Sequence, residues 1–260
     1  MKRFQDKVVL VTGGSRNTGL DIIELFVKEG AKVFMCGSSE KSTADGAAIL
    51  AERGCTNVRS IPCNISDLDQ VINLFDIIEK EAGKLDILVN NAAHQGIGKP
   101  FLEMDPDYVT EVLGVNVKGG FQVTQQAVKR FFLNQESRGV VVFLSSNVAM
   151  RAIRNRTAYC ASKGAINSMV RSLALDLGPL GIRVNACAPG YIYTERWDAL
   201  AEETKTRRRK NCPLRQEASG MDIAKVVAFL ASSDSSNMTG EIITCDAGCS
   251  CQHMPEDVDL

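Results

Sequence analysis

The first predicted strand, turn and helix have the sequence KVVLVTGGSRNTGLDIIELF, residues 7–26. Val8–Val11 is a continuous apolar run, which is typical of a strand buried on both faces of a parallel sheet. Thr12–Gly19 is rich in small residues, and a helical pattern follows from Leu20. This order creates an anion site, because a helix N-terminus offers unpaired N–H groups and small residues let a pyrophosphate approach the backbone. We therefore expect a phosphate-binding turn at the end of the first strand.

Apolar runs alternate with helical patterns through the whole chain. Helices fall between predicted strands near residues 7–12, 32–36, 57–62, 86–89, 138–145, 182–187 and 240–245. Strands that alternate with helices form parallel sheets with right-handed crossovers. The sequence therefore predicts an α/β protein with a doubly wound parallel sheet of seven strands and helices on both faces. Ligands of such sheets bind outside the carboxyl ends of the strands, where this arrangement places Gly13, Asn91, Ser146 and Pro189.

Length and composition fit a single domain that spans residues 1–260. With 45% apolar and 23% charged residues, a chain of 260 residues buries a large core without dividing. Its 30 basic and 31 acidic residues give a net charge of -1, which offers no electrostatic attraction to nucleic acid or to an anionic membrane. Residues 1–6 contain no apolar signal segment, and no run approaches the length of a membrane span. We expect a cytoplasmic protein.

Tyr159 and Lys163 are four residues apart in a predicted helix, within AYCASK at residues 158–163. Side chains at i and i+4 lie on one face of a helix, about 6 Å apart at Cβ. A free tyrosine has a pKa of about 10, and a nearby positive charge favours the phenolate. We therefore expect Lys163 to lower the pKa of Tyr159 and to make Tyr159 an acid or base near neutral pH.

Four segments resemble, in order, motifs of the short-chain dehydrogenase/reductase family. The turn TGGSRNTG at residues 12–19 is similar to the family's Thr-Gly-x-x-x-Gly-x-Gly turn, and NNAA at residues 90–93 is similar to its Asn-Asn-Ala-Gly segment. RVNACAPGYIYT at residues 183–194 resembles the segment that closes over the nicotinamide, and residues 240–248 resemble the last strand. The resemblance covers almost the whole chain and implies a Rossmann-type fold.

The resemblance implies four catalytic residues, Asn116, Ser146, Tyr159 and Lys163. Ser146 is the second of two serines after the run VVVFL, and it precedes Tyr159 by the family's step of 13 residues. Tyr159 would donate a proton to a carbonyl oxygen or remove it from an alcohol, while Ser146 holds that oxygen. Lys163 would also bind the nicotinamide ribose, and Asn116 would fix a water that relays the proton. The implied activity is hydride transfer between NADP(H) and a secondary alcohol or ketone.

The resemblance also assigns the cofactor contacts. They fall on Gly13, Ser15, Arg16, Asn17, Gly19, Ser38, Ser39, Asn64, Ile65, Asn91, Ala92, Tyr159, Lys163, Pro189, Gly190, Ile192 and Thr194.

NADP(H) is favoured over NAD(H) by the end of the second predicted strand. No acidic residue stands there before Glu40, so nothing accepts the ribose 2′-OH of NAD or repels the 2′-phosphate of NADP. Ser38 and Ser39 offer hydrogen bonds to a phosphate, and Arg16 stands where NADP-preferring members often carry a basic residue. The alternative for Arg16 is a solvated turn residue.

Three residues depart from the family pattern. Asn17 replaces a glycine of the turn, and because Asn tolerates left-handed backbone best after glycine, we expect the turn to form with altered affinity. Asn64 stands where many members have an Asp that contacts adenine, and its amide still offers an acceptor oxygen. Ala93 replaces a glycine beside the cofactor and narrows the site. These departures motivate a rival function, a non-catalytic dinucleotide-binding sensor or scaffold.

Residues 191–217 match the family's mobile lid over the substrate. Their aromatic content allows a bulky apolar substrate such as a hydroxysteroid. Arg151 or Arg154, between Ser146 and Tyr159, could pair with an anionic group of the substrate, or could face solvent or a subunit interface.

The resemblance also implies an oligomer. Relatives commonly pair the helices predicted here around 107–133 and 157–178, and also their last strands. We therefore expect a homotetramer or homodimer, with a small molecule rather than a nucleic acid or a membrane as its ligand.

The chain has nine cysteines, and an odd number without a secretion signal argues against a disulfide framework. We expect them to be reduced. Cys245, Cys249, Cys251 and His253 lie within nine residues, but no Cys-x-x-Cys pair is present and Cys245 falls in a predicted core strand. We interpret these residues as ordinary thiols and a surface histidine, and we predict no metal site.

Overall fold

The computed structural model describes residues 2–253. Seven parallel strands form one sheet in the order β3-β2-β1-β4-β5-β6-β7. The strands are β1 Val8–Thr12, β2 Lys32–Gly37, β3 Val58–Pro62, β4 Ile87–Asn90, β5 Val140–Leu144, β6 Arg183–Pro189 and β7 Ile242–Cys245. All seven begin and end within two residues of the predicted positions, so the predicted doubly wound sheet is confirmed. The strand order reverses between β1 and β4, which creates a crevice at their carboxyl ends.

Helices cover both faces of this sheet. They are α1 Thr18–Lys28, α2 Glu40–Glu52, α3 Leu68–Ala82, α4 Pro106–Leu113, α5 Gly120–Ala127, α6 Thr157–Leu177, α7 Glu195–Asp198, α8 Glu202–Lys210 and α9 Gly220–Ala231. Across residues 2–253, none of the helices combines the length and the apolar character that a membrane span requires.

Alternate residues of the central strands enter two separate cores. Leu10 of β1 and Leu88 of β4 pack in the core that α3, α5 and α6 cover. Val9 and Val11 of β1 and Val89 of β4 pack in the core under α1 and α9. Each such side chain stabilises the fold by about 1.5–3 kcal/mol when fully buried. Because both faces of the sheet are buried, the sequences of its strands are continuous apolar runs. The packing of these strands holds their carboxyl ends in fixed positions.

The long helix predicted around 107–133 is widened at two places. α4 continues into a π-helix at Gly114–Gly119, and α5 continues into a second π-helix at Val128–Phe132. Such π turns are rare and frequently mark functional sites. The first of them carries Asn116, one of the four predicted catalytic residues.

The predicted lid, residues 191–217, leaves the end of β6 and contains α7 and α8. An isolated bridge between Ile192 and Ala218 closes its base. The Tyr191 carbonyl accepts a hydrogen bond from the Ala218 amide at 2.9 Å, and the Ala218 carbonyl accepts one from the Tyr193 amide at 2.8 Å. The predicted lid is thus a helical segment whose two ends are paired with each other beside the carboxyl end of β6.

Candidate active site

A cleft of about 840 Å³ lies at the carboxyl ends of β1 to β4. Eleven of the residues assigned to the cofactor line it, namely Gly13, Ser15, Arg16, Asn17, Gly19, Ser38, Ser39, Asn64, Ile65, Asn91 and Ala92. It is also lined by residues that the sequence analysis did not assign to the cofactor, among them Ala93, His94, Gln95, Gly96, Tyr108, Glu111 and Arg196.

The floor of the cleft is a turn that only glycine fits. Gly13 has φ +62°, and a Cβ on it would lie 2.6 Å from the Cα of Ala92. A Cβ on Gly19 would lie 2.4 Å from the carbonyl oxygen of Gly13 and 2.9 Å from Nδ2 of Asn91. Neither distance is tolerable, so the glycines let the start of α1 pack directly against the segment after β4.

Asn17 adopts an unusual backbone conformation at the N-cap of α1, with φ 49° and ψ −133°. The predicted left-handed region has a positive ψ near 45°, so Asn17 lies outside the region that Asn tolerates best. Its side chain makes no capping hydrogen bond. The turn forms as predicted, but through a glycine-like conformation that strains an asparagine by roughly 1–3 kcal/mol.

Asn91 ties the turn to β4. Its Nδ2 donates to the carbonyls of Thr12 at 3.0 Å and Gly13 at 2.8 Å. The Thr12 hydroxyl accepts from the amides of Asn91 and Ala92, both at 3.1 Å. Asn91 therefore shapes the cleft by holding backbone.

The rim beyond β2 presents hydroxyl groups and one arginine. The Ser39 side chain caps α2 by accepting from the Ser42 amide at 3.2 Å, and its hydroxyl also contacts that of Ser42 at 3.1 Å. Arg16 is exposed and makes no ion pair in the described part of the chain. This rim is therefore polar and positively charged, and it carries no carboxylate before Glu40.

Asn64 uses the acceptor oxygen that the sequence analysis assigned to adenine. Its Oδ1 accepts from the Ser66 amide at 3.2 Å and from the Ser66 hydroxyl at 2.9 Å. The amide therefore stabilises the turn before α3, and an adenine would have to share that oxygen.

Ser146, Tyr159 and Lys163 converge where β5 meets α6. The Ser146 hydroxyl is close enough to the Tyr159 phenol to favour its ionised form, and Ser146 Oγ donates to the Pro189 carbonyl at 3.4 Å. Lys163 Nζ donates to the Leu144 carbonyl at 2.7 Å and lies 5.5 Å from the centroid of the Tyr159 ring. The predicted helical pair is therefore present, with the serine at its side.

The charge that acts on Tyr159 is not the one that the sequence predicted. Burial raises the pKa of Tyr159, while the hydrogen bond with Ser146 and the positive charge of Arg156 oppose that rise. The pKa of Tyr159 therefore lies above its ordinary value, and the predicted lowering is not found. Burial of the amine, with only 2% of Lys163 exposed, instead lowers the pKa of Lys163 to about 8.

Asn116 joins the segment after β4 to α6. Its Oδ1 accepts from the His94 amide at 2.6 Å, and its Nδ2 donates to the His94 carbonyl at 2.9 Å and to the Ser162 hydroxyl at 2.8 Å. The Ser162 hydroxyl in turn donates to the Tyr159 carbonyl at 2.7 Å. The side chain of Asn116 is thus engaged in positioning backbone, and its predicted water remains a prediction.

A loop at residues 94–98 packs against Tyr159, the predicted catalytic tyrosine. Gly96 has φ +55°, and a Cβ on it would lie 3.0 Å from the Cβ of Tyr159. The Gln95 carbonyl accepts from Arg156 Nη1 at 2.7 Å, and the Gln95 side chain accepts from Arg196 of α7. Gln95 was expected to border the pocket from its place after the Asn91 segment, but its contacts with Arg156 and Arg196 were not predicted, because nothing in the spacing of the three residues shows that the fold brings them together.

His94 lies beside this loop with its ring constrained on several sides. Its Nδ1 accepts from the Gly96 amide at 3.1 Å, its Nε2 lies 3.5 Å from a carboxylate oxygen of Glu111, and its ring packs edge-on against Tyr108. The bond to Nδ1 places the proton of the neutral ring on Nε2.

Pro189, Gly190, Ile192 and Thr194 do not line the cleft itself. The Gly190 amide donates to the Cys245 carbonyl at 3.1 Å, and the Thr194 carbonyl accepts from the Trp197 amide at 2.7 Å. Of these four residues, Pro189 contacts a predicted catalytic side chain, because its carbonyl accepts a hydrogen bond from Ser146 Oγ. Their predicted contacts with a cofactor stay predictions.

The cysteines form no disulfide, and all nine thiols are free. Within residues 2–253, no group of three or more His, Cys, Asp or Glu side chains is arranged to hold a metal ion.

Comparison with known proteins finds relatives along nearly the whole chain. Residues 14–250 match a family model described as Enoyl-(Acyl carrier protein) reductase. The chain is 34% identical to the 3-oxoacyl-(acyl-carrier-protein) reductase FabG of Thermotoga maritima, over 95% of this chain and 98% of that relative. It is 33% identical to a 3alpha-hydroxysteroid dehydrogenase of Mediterraneibacter gnavus, over 94% and 96% respectively. The solved structure of levodione reductase matches with a TM-score of 0.89 at 28% identity, covering 96% of this chain and 100% of that one.

We expect Asn17→Gly to raise the free energy of unfolding by about 1 kcal/mol, because relief of the turn's strain exceeds the extra chain entropy that glycine loses on folding. Urea unfolding followed by circular dichroism measures the change. Thr18→Gly, at the first residue of α1, is the control and should lower stability by about 0.3 kcal/mol, the difference in helix propensity between threonine and glycine. Destabilisation by Asn17→Gly would show that the turn is unstrained.

We expect Lys163→Met to unfold at higher urea concentration than the parent at pH 7. Below pH 8 the amine is protonated in both states, and its burial costs about 3 kcal/mol, the shift of its pKa from 10.5 to about 8. Loss of the bond to Leu144 offsets about 1 kcal/mol of this gain. Between pH 8 and pH 10.5 only the unfolded state stays protonated, so the parent gains stability and the advantage of the variant shrinks.

The control for this experiment is Lys118→Met, which replaces an exposed lysine of the first π-helix. Its effect should be small and should not change over the same pH range. A pH-independent effect of Lys163→Met would contradict a buried amine with a lowered pKa.

Proposed function

The chain belongs to the short-chain dehydrogenase/reductase family, and on that basis we propose that it transfers a hydride between NADP(H) and a secondary alcohol or ketone. It is an NAD(P)-dependent oxidoreductase of CH–OH and keto groups. One observation carries the proposal. The side chains of Ser146, Tyr159 and Lys163 converge where β5 meets α6: the Ser146 hydroxyl is close enough to act on the Tyr159 phenol, and Lys163 Nζ lies 5.5 Å from the Tyr159 ring centroid.

The residues of the cleft fit a dinucleotide. The glycines of the turn keep side chains away from the start of α1, so backbone N–H groups are accessible to a pyrophosphate. An 840 Å³ cleft is within the size range of ligand sites in proteins, roughly 300–1,000 Å³. When bound, the nicotinamide ring supplies the hydride donor or acceptor.

The preference for NADP(H) follows from the charge around the end of β2. Ser38 and Ser39 offer hydroxyls, Arg16 offers a guanidinium, and the N-terminus of α2 adds its partial positive charge. The 2′-phosphate of NADP(H) would gain attraction there, whereas the 2′-hydroxyl of NAD(H) would find no carboxylate. This combination supports NADP(H) over NAD(H).

Tyr159 acts as the proton donor to the substrate oxygen. Because burial raises its pKa, the phenol is protonated at neutral pH and ready to donate during reduction of a ketone. Ser146 holds the same oxygen through its hydroxyl. The positive charge of Arg156 and the hydrogen bond with Ser146 stabilise the phenolate that remains after donation. Lys163 follows Tyr159 by one turn of α6, and we assign to its amine the hydrogen bond with the nicotinamide ribose.

The rival function, a non-catalytic sensor, finds no support in the site. Asn17 keeps the turn in the glycine-like conformation, and Asn64 and Ala93 both lie at the cleft without filling it. The four proposed catalytic residues are all present, and Asn116 is linked through the Ser162 hydroxyl to the Tyr159 carbonyl.

The substrate proposed is a ketone or alcohol with an apolar body. The relatives are named for 3-oxoacyl groups, for a 3α-hydroxysteroid and for levodione, all of which carry a keto or hydroxyl group. Apolar side chains of Ile97, Met150 and Ile153 are exposed on the two segments that flank Tyr159. These exposed side chains favour an apolar substrate.

The proposed assembly is a homotetramer or homodimer in the cytoplasm. Phe121 of α5 is 47% exposed and Leu175 of α6 is 79% exposed. Burial of these side chains between copies would stabilise an oligomer.

Tyr159→Phe should lower kcat by about 10²- to 10⁴-fold, because the proton donor is lost. The dissociation constant of NADPH should stay within about twofold, since the phenol oxygen contributes little to holding a dinucleotide. Turnover by absorbance of NADPH and binding by fluorescence titration measure the two effects. Tyr108→Phe, which removes another hydroxyl at the cleft, is the control and should keep most activity. Full activity of Tyr159→Phe would remove Tyr159 from the mechanism.

Ser38→Asp should raise the dissociation constant of NADPH by about tenfold or more, because a carboxylate there repels the 2′-phosphate. Binding of NADH should be unchanged or tighter. Ser38→Asn has nearly the same size without the charge and serves as the control. Equal weakening by Asp and by Asn would mean that the phosphate binds elsewhere.

A further inference from the structure

Three side chains of the lid form a compact cationic and aromatic group, which we call the lid cluster: Tyr191, Trp197 and Arg208. The Tyr191 and Trp197 rings pack edge to face with their centroids 6.0 Å apart. The guanidinium carbon of Arg208 lies 5.4 Å from the Tyr191 centroid and 5.3 Å from the Trp197 centroid. These distances allow a cation–π interaction with both rings.

Arg208 has no acidic partner among the described residues, unlike Arg209 and Lys205 of the same helix. Arg209 forms two hydrogen bonds with Glu217 at 2.8 and 2.7 Å, and Lys205 pairs with Glu202 at 2.7 Å. In the chain from residue 2 to residue 253, Arg208 makes neither an ion pair nor a side-chain hydrogen bond. Stacking on aromatic rings engages the face of a guanidinium and leaves its N–H edges available to an acceptor.

Trp197 contributes a second donor that has no partner among the described residues. The residue is 5% exposed, and its indole Nε1–H is buried without a hydrogen-bond partner among the described residues. An unsatisfied buried donor costs about 1–3 kcal/mol, which is why such groups are uncommon. A charged donor and an unsatisfied donor therefore lie together in one aromatic cluster.

The lid cluster begins two residues after Pro189, whose carbonyl contacts the proposed catalytic serine, Ser146. Ser146 bonds to the Pro189 carbonyl, two residues before Tyr191. Arg151 lies five residues after Ser146, donates to the Cys249 carbonyl, and stands close enough for its positive charge to act on the Tyr191 hydroxyl. Arg208 and Arg151 thus both place a positive charge near Tyr191, at the start of the predicted lid.

We propose that the lid cluster is a subsite for a carboxylate carried by the substrate. The ketone or alcohol is then an organic anion, with an apolar body between its carboxylate and its reacting carbon. The planar guanidinium of Arg208 accepts a carboxylate in bidentate geometry, and the Trp197 N–H supplies a further donor. The rings of Tyr191 and Trp197 pack against the adjoining carbon chain. The identity of the substrate rests on the proposed function, but binding of the carboxylate does not require turnover.

The chain offers a direct probe, because Trp197 is its only tryptophan. We would titrate the full-length protein with 4-oxononanoate, a keto acid with an apolar chain, and with its methyl ester, and follow tryptophan fluorescence. The acid should give a saturable change, and the ester should bind about tenfold more weakly or worse because it lacks the charge. Equal binding of acid and ester, or no fluorescence change with either, would overturn the subsite.

Arg208→Met should weaken binding of the acid by about tenfold or more and leave binding of the ester unchanged. Arg207→Met is the matched control, because Arg207 is the exposed neighbour in α8 whose side chain has no partner within residues 2–253. It should bind the acid as the parent does. Equal losses in Arg207→Met and Arg208→Met would reduce the effect to general surface charge and overturn the proposal.

Folding and turnover are controlled separately. If circular dichroism shows that Arg208→Met does not fold, Arg208→Gln provides a polar replacement. It should lose acid binding to the same extent, and unchanged acid binding would overturn the proposal.

Addition of inorganic phosphate distinguishes a carboxylate site from a general anion site, and displacement of the acid by phosphate at equal concentration would contradict the carboxylate assignment. Saturable acid binding without NADPH oxidation would sustain the subsite and count against the proposed reaction.

Discussion

The architecture of the site depends on close packing between the glycine-rich turn and the segment that follows β4. A Cβ on Gly13 or Gly19 would collide with Ala92, Asn91 or the turn itself, and Asn91 donates to the carbonyls of Thr12 and Gly13. From this contact, hydrogen bonds continue through His94 and Asn116 to Ser162 and then to the backbone of Tyr159. The predicted phosphate-binding turn and Tyr159, the proposed proton donor, are therefore parts of one connected structure. A change in the backbone of the turn would therefore alter the position of Tyr159.

Burial sets the protonation of the central pair. It raises the pKa of Tyr159 and lowers that of Lys163, so both groups are driven towards their neutral forms. Arg156, held over the tyrosine by the Gln95 carbonyl, supplies the opposing positive charge. The loop that carries Gln95 also contacts Arg196 of the lid. Gln95 thus joins Arg156, which lies over the proposed proton donor, to Arg196 of the predicted lid.

The sequence predicted the fold well because its signals are local. Continuous apolar runs marked all seven strands, and small residues marked the turn. It predicted less of the site, because contacts that depend on tertiary structure leave no local pattern. The apolar spacing around Asn116 gave no sign of the π-helix there. The hydrogen bonds of Gln95 with Arg156 and Arg196 join segments that are distant in the sequence.

Two departures from prediction have specific physical causes. An i, i+4 spacing places Lys163 beside Tyr159 but cannot report that its amine is buried and bonded to the Leu144 carbonyl. Asn17 occupies the place of a glycine with a ψ that the residue type alone did not indicate. In both cases the residue was identified correctly, and its energetic state was set by packing that only the folded chain provides.

The most direct test of this account is transfer of deuterium from NADPH deuterated at C4 of the nicotinamide to a panel of cyclic and acyclic ketones, followed by mass spectrometry of the alcohols. The account predicts an alcohol that carries one deuterium on its carbinol carbon for each NADPH oxidised. Firm binding of NADPH with no labelled alcohol from any ketone would contradict it.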